Sequence, residues 1–134
     1  MRTRDLKPKF FRNTELAKLP FATRLLYAGL WGVADKRGRL VDEPKLIKAD
    51  VFPLDNVKVD AMLRQLEQAG FIERYEALGI HCIWIPKFRQ HQHPHPNEPE
   101  SMLPPAMSEL CRGNDMAITK EEVLHGDAIA PTFN

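Results

Sequence analysis

The run M-L-R-Q-L-E-Q-A-G-F-I-E-R-Y, from Met62 to Tyr75, passes from a helical period to an alternating one across a single glycine. Val59, Met62, Leu63, Leu66 and Ala69 recur at the three- and four-residue spacing that lines one face of a helix. Gly70 supplies a residue that takes the left-handed conformation with which helices end, and Phe71 to Glu76 reads as a strand. A turn at Ala77-Leu78-Gly79 leads into Ile80-His81-Cys82-Ile83-Trp84-Ile85, so the two runs form a hairpin that Pro86 terminates.

Upstream, a polar connection at Leu54-Asp55-Asn56 separates this helix from a shorter one. Asp42 followed by Glu43-Pro44 is a helix start, because Asp caps open amides and Pro is tolerated in the first turn. That helix ends before Phe52-Pro53, and Arg39-Leu40-Val41 makes a short strand ahead of it. From Phe21 to Ala34 the apolar residues Leu25, Leu26, Leu30, Trp31 and Val33 mark the main scaffold helix, stopped at Asp35-Lys36-Arg37-Gly38. A first short helix, capped by Asn13 or Thr14, runs to about Leu19 before Pro20 breaks it.

The order helix, short strand, helix, turn, helix, hairpin predicts an α+β, mostly α domain over residues 13–88. Its expected architecture is a winged helix-turn-helix: three to four helices, a two-stranded β-hairpin wing and a short third strand. Residues 1–12 form a basic arm pinned by Phe10 and Phe11. Residues 89–100, R-Q-H-Q-H-P-H-P-N-E-P-E, are polar and Pro/His-rich and are expected as extended linker. Residues 101–134 form an acidic tail, mobile or weakly helical, with helical candidates at Ala106 to Cys111 and Thr119 to Leu124.

With 43% hydrophobic residues in 134, one core fills without disulfides or metal. Cys82 and Cys111 lack CxxC spacing and read as free thiols. No stretch of 18 uninterrupted apolar residues exists to span a membrane, and the start M-R-T-R-D-L-K-P is charged and lacks an apolar run like that of a signal peptide, so a cytoplasmic protein is expected. The net charge of +1 hides a gradient: residues 1–41 hold ten Lys/Arg against three Asp/Glu, and residues 100–134 hold two against six. A basic front of this kind suits a polyanion.

On a helical wheel, Val59, Met62, Leu63 and Leu66 turn inward, and Ala61, Arg64 and Gln68 turn outward, flanked by Lys58 and Gln65. Arg bonds guanine edges in a bidentate way, Gln pairs with adenine, and Ala touches a thymine methyl, so this face suits base reading in a major groove. Asn56 at the start of the helix and Lys45 and Lys48 on the preceding one are placed for phosphates. Further phosphate candidates are Arg2, Arg4, Lys7 and Lys9 on the arm, Arg74 on the wing, and Lys87 and Arg89 after it. His91, His93 and His95 alternate with Gln92 and Pro94, but no Cys or carboxylate completes a zinc spacing, so no metal is expected. Without a phosphate-cradling glycine loop, a paired-carboxylate setting or an activated nucleophile, neither enzymatic activity nor a cofactor is expected.

Several segments resemble phage and prophage winged-helix proteins related to the N-terminal domains of phage replication initiators, or replisome organisers. They are K-P-K-F-F at Lys7 to Phe11, L-P-F-A-T-R-L-L-Y-A-G-L-W at Leu19 to Trp31, and A-D-K-R-G-R-L at Ala34 to Leu40. The likeness continues in P-K-L-I-K-A-D-V-F-P at Pro44 to Pro53, A-G-F-I-E-R-Y at Ala69 to Tyr75, and I-P-K-F-R-Q-H-Q-H-P-H-P at Ile85 to Pro96. The resemblance implies a double-stranded DNA-binding protein of phage DNA replication initiation or its control, with host replicative helicase or its loader as protein partner. The alternative is a protein-interaction module, a transcription regulator or an inhibitor of a host replication or defence complex, that binds a host protein through the same surface. A homodimer would imply a palindromic target with half-sites about one helical turn apart.

Overall fold

The structure is a computed structural model that describes residues 1–115, with side chains described to Cys111. It is α+β: among the described residues there are seven helices and one three-stranded antiparallel sheet. In chain order these are α1 (Pro8–Arg12), α2 (Thr14–Ala17), α3 (Phe21–Val33), β1 (Arg39–Val41), α4 (Pro44–Val51), α5 (Val59–Gln68), β2 (Glu73–Ala77), β3 (Ile80–Trp84), α6 (Phe88–His91) and α7 (Met107–Asp115). Residues 1–104 form one compact unit, and α7 belongs to a second, where it overlaps the helix expected at Ala106 to Cys111, starting one residue later. The Thr119–Leu124 candidate lies outside the described residues.

The sheet order is β1-β3-β2. Leu40 sits opposite Ile83 across one seam, and Tyr75 opposite Cys82 across the other. Ala77 pairs with Ile80, so Leu78 and Gly79 alone make the hairpin loop, at φ 53° and 76°. Positive φ at both loop residues matches the right-handed twist of the flanking strands.

Of the stripe read from the sequence, Ala69 caps the helix and is exposed, whereas the other four residues, Val59, Met62, Leu63 and Leu66 of α5, pack as expected and are all buried. They meet Leu26, Leu30 and Trp31 of α3, Ile47 of α4, and Ile83 and Ile85 in one core. The end of α5 explains the abrupt change of period. Gly70, at φ 84°, donates its N–H to Glu67 O at 3.0 Å, and Phe71 donates to Leu66 O at 2.9 Å. These two bonds occupy carbonyls that the helix leaves open and turn the chain toward β2, which begins at Glu73 after the buried Phe71 and Ile72.

Several local expectations differ from the structure, among them the arm, whose residues Pro8–Arg12 form α1 and whose aromatic pair packs on the core through Phe10 alone, since Phe11 is 69% exposed. Asn13 does cap α2, its Oδ1 accepting from Glu15 N and Leu16 N at 3.0 Å. Asp42 does not cap α4: Glu43 holds that position without a side-chain bond, because the Asp42 carboxylate is held by Arg74 instead. Leu25, counted on the apolar face of α3, is 58% exposed, since that helix buries the Thr23–Leu26–Tyr27–Leu30 side. Residues 89–100 are not extended linker throughout. Phe88 buries itself at the head of α6, and the buried Gln92 amide exchanges two bonds with the Asp5 backbone, at 2.9 and 2.7 Å. Two polar segments that bury little apolar surface satisfy each other's polar groups, which a composition-based estimate of order leaves out.

Candidate nucleic-acid interface

The core fixes α4 and α5 side by side, because Ile47 and Leu63 are both buried in it. Between the two helices runs a shallow groove lined by Lys45, Lys48, Lys58, Ala61 and Arg64 together with Asp60. Five residues singled out on separate grounds, two for phosphate and three for base reading, thus share one surface. Lys45 and Lys58 are exposed, while Lys48 is half-buried and donates from Nζ to Phe52 O at 3.3 Å, across the C-terminal end of α4. Four cations against one carboxylate make the groove positive. Arg64 is 64% exposed and bonds Asp60 Oδ2 from Nη2 at 2.9 Å, an i,i+4 pair along α5.

Asn56 and Gln68 are exposed, before the start of α5 and at its last turn. Gln65 departs from the expected outward position. It is half-buried, and its Oε1 accepts from the buried Thr23 hydroxyl of α3, so it ties the two helices together.

Arg74 is also placed differently from the phosphate contact expected of the wing. Its Nε and Nη2 bond Asp42 at 2.7 and 3.0 Å, and Nη2 reaches Asp60 Oδ1 at 2.8 Å. The Asp42 contact, helped by Asp60, raises the guanidinium pKa, and the bond from Arg74 is the largest cause of the lowered Asp60 pKa. Arg74 is therefore a cross-brace between β2, the β1–α4 junction and α5.

The arm divides in the same way. The Arg4 side chain is 8% exposed and donates to Trp31 O and Ala34 O, at the C-terminal end of α3, and to both Glu98 oxygens. Arg2 lies 3.4 Å from Glu98. Lys9, Lys87 and Arg89 are exposed and Lys7 is half-buried. The arginine contacts hold Glu98 below the usual carboxylate range.

The histidine tract does not converge. His91 stacks on the Trp31 ring with centroids 5.4 Å apart, and burial, then nearby Lys87, lowers its pKa. His95 Nδ1 accepts from Asn97 N at 3.0 Å. Among the described residues no group of three or more His, Cys, Asp or Glu side chains is placed to hold a metal ion. Both cysteines are free, Cys82 buried and Cys111 exposed. No helix among the described residues is long and apolar enough to cross a membrane.

The sequence reading missed Asp60 as a partner of Arg64, although the four-residue spacing on a helix carried that signal. It also missed the Asp42–Arg74 pair, which is 32 residues apart and leaves no local mark. No protein-family model, curated protein or solved structure matches the chain.

Proposed function

We propose that the α3–β3 unit is a winged helix-turn-helix that docks on double-stranded DNA, with α4 and α5 as the helix-turn-helix and the β2–β3 hairpin as the wing. The observation that carries this reading is the groove between α4 and α5, where Lys45, Lys48, Lys58 and Arg64 gather. Lysines around the rim of a helix pair follow phosphates, and a polar helix face between them suits base edges. The wing plays a bracing part, since its arginine is spent on Asp42 and Asp60. By the resemblance stated above, the role is non-enzymatic, in phage DNA replication initiation or its control, with a host helicase or its loader as a further partner.

A mobility shift of the full chain on phage DNA fragments across a range of salt tests this. Binding that weakens with salt and falls on Arg64→Ala or Lys58→Ala supports it; no shift at low salt, where counterion release favours binding most, sinks it. One observation favours the second reading, a protein-interaction module: Val41, Leu46 and Met102 are exposed around an apolar cleft between β1, α4 and the 99–103 segment. Nuclease-resistant recovery of a stoichiometric host protein would support that reading.

A further inference from the structure

Asp42, Arg74, Asp60 and Arg64 form a continuous chain of ion pairs that runs from the inside of the fold to the groove surface. Asp42, with a side chain 10% exposed, grips Arg74 through both carboxylate oxygens. Arg74 passes Nη2 to Asp60 Oδ1 at 2.8 Å, and the other oxygen of Asp60 takes Nη2 of Arg64 at 2.9 Å. Asp60 therefore gives one oxygen to the braced arginine and one to the exposed arginine. It sits in the first turn of α5, the part of such a helix that meets base edges.

This arrangement bears on what Arg64 touches. A lone exposed arginine samples many rotamers and binds whichever phosphate is near. Tethered by one N–H to a carboxylate that is itself held from behind, Arg64 is restrained over the groove with its remaining donors unspent by that bond. The carboxylate beside it repels phosphate oxygens, which disfavours a docked register that runs the DNA backbone through this place. A guanine edge presents two acceptors, O6 and N7, and no fixed charge, and is the ligand that this pair accommodates.

We infer that Asp60 is a positioning residue that presents Arg64 to a guanine edge in the major groove, so that the recognised duplex carries a guanine facing the first turns of α5. The inference rests on the DNA-binding reading above.

The test is selection by the full chain from a randomised duplex pool, repeated with Asp60→Asn and Arg64→Lys. The wild-type chain is expected to enrich one guanine position at which other bases bind roughly ten- to hundred-fold more weakly. Arg64→Lys, which keeps the charge but not the planar fork, flattens that position and leaves the others standing. Asp60→Asn flattens it too, while binding to unselected duplex strengthens because a repelling charge is gone. A purely structural part for Asp60 would weaken all positions together. Enrichment with the guanine preference intact in Asp60→Asn, or with no position that responds to Arg64→Lys, overturns the inference and leaves DNA binding in place. No enrichment by a wild-type chain that still shifts duplex at low salt overturns the inference alone, and no shift at low salt overturns both. Arg64→Lys alters an exposed side chain, so it decides the guanine contact even where Asp60→Asn fails to fold.

Discussion

Replacing Arg4 by Met removes one of the contacts that hold the N-terminal arm on the fold, beside the Gln92–Asp5 bonds. Its guanidinium donates to Trp31 O at 3.1 Å and Ala34 O at 3.0 Å and holds Glu98 at 2.8 and 2.9 Å, and it lies 5.1 Å from the Phe88 ring centre. Both side chains of the pair are under a tenth exposed. Breaking a buried pair from one side leaves a charge without its partner, at about 3–5 kcal/mol. Arg2, 3.4 Å from Glu98, stays in place and offsets part of this, so the loss expected for Arg4→Met is about 3 kcal/mol. That lowers the midpoint of thermal unfolding by roughly 10–20 °C for a domain of this size. The double variant Arg4→Met, Glu98→Leu removes both charges and forfeits chiefly the two carbonyl bonds, about 1–2 kcal/mol together. Urea unfolding followed by tryptophan fluorescence reads both values. A single variant within about 0.5 kcal/mol of wild type, or a double variant no more stable than the single one, would refute the reasoning.

Leu78→Asn is expected to stabilise by about 0.5–1 kcal/mol in urea melts, because Leu78 is 84% exposed at φ 53°, a conformation Asn tolerates better than Leu. Gly38→Ala is expected to destabilise by about 2–5 kcal/mol: φ is 78°, and a Cβ would stand 2.6 Å from Phe88 Cβ, itself part of the core. Melting temperature should fall in two stages with pH. Burial holds His91 below its ordinary 6.5, so the unfolded chain takes up a proton that the fold resists and stability declines as pH drops below 6.5. Asp60, Glu98 and Glu100 all have lowered pKa values, Glu100 to about 2 through its bond from Arg37; their contribution is full above pH 4.5 and drains as pH falls toward about 2. A melting temperature that stays flat from neutral pH down to pH 4.5 contradicts the His91 assignment.

What was legible in the sequence is what neighbouring residues decide. The Val59 to Leu66 part of the α5 stripe, the Gly70 stop and the Asn13 cap each depend on a few consecutive positions, and the structure places them where periodicity and turn chemistry put them; the turn read at Ala77-Leu78-Gly79 is shorter by Ala77, which pairs in β2. Side-chain allegiance was not legible, because it depends on partners distant in the chain. Arg74 reads as a wing cation until Asp42 and Asp60 are placed beside it, and Arg4 as a free arm until Glu98, 94 residues on, reaches it. Asp42 reads as a cap for the same reason, and Gln65 as an outward base reader until Thr23 of α3 meets it. The groove itself was half legible. A wheel assigns Lys58, Ala61 and Arg64 to one face, and only the packing of α4 against α5 brings Lys45 and Lys48 to the same place.

The most direct test of the α4–α5 groove is the salt dependence of duplex binding, followed by fluorescence anisotropy with wild-type chain and with Lys45→Gln, Lys48→Gln, Lys58→Gln combined. If the three lysines neutralise three phosphates, the slope of log affinity against log salt becomes shallower by about 2.7 in the variant. An unchanged slope in a variant that melts like wild type would place the DNA somewhere other than this groove.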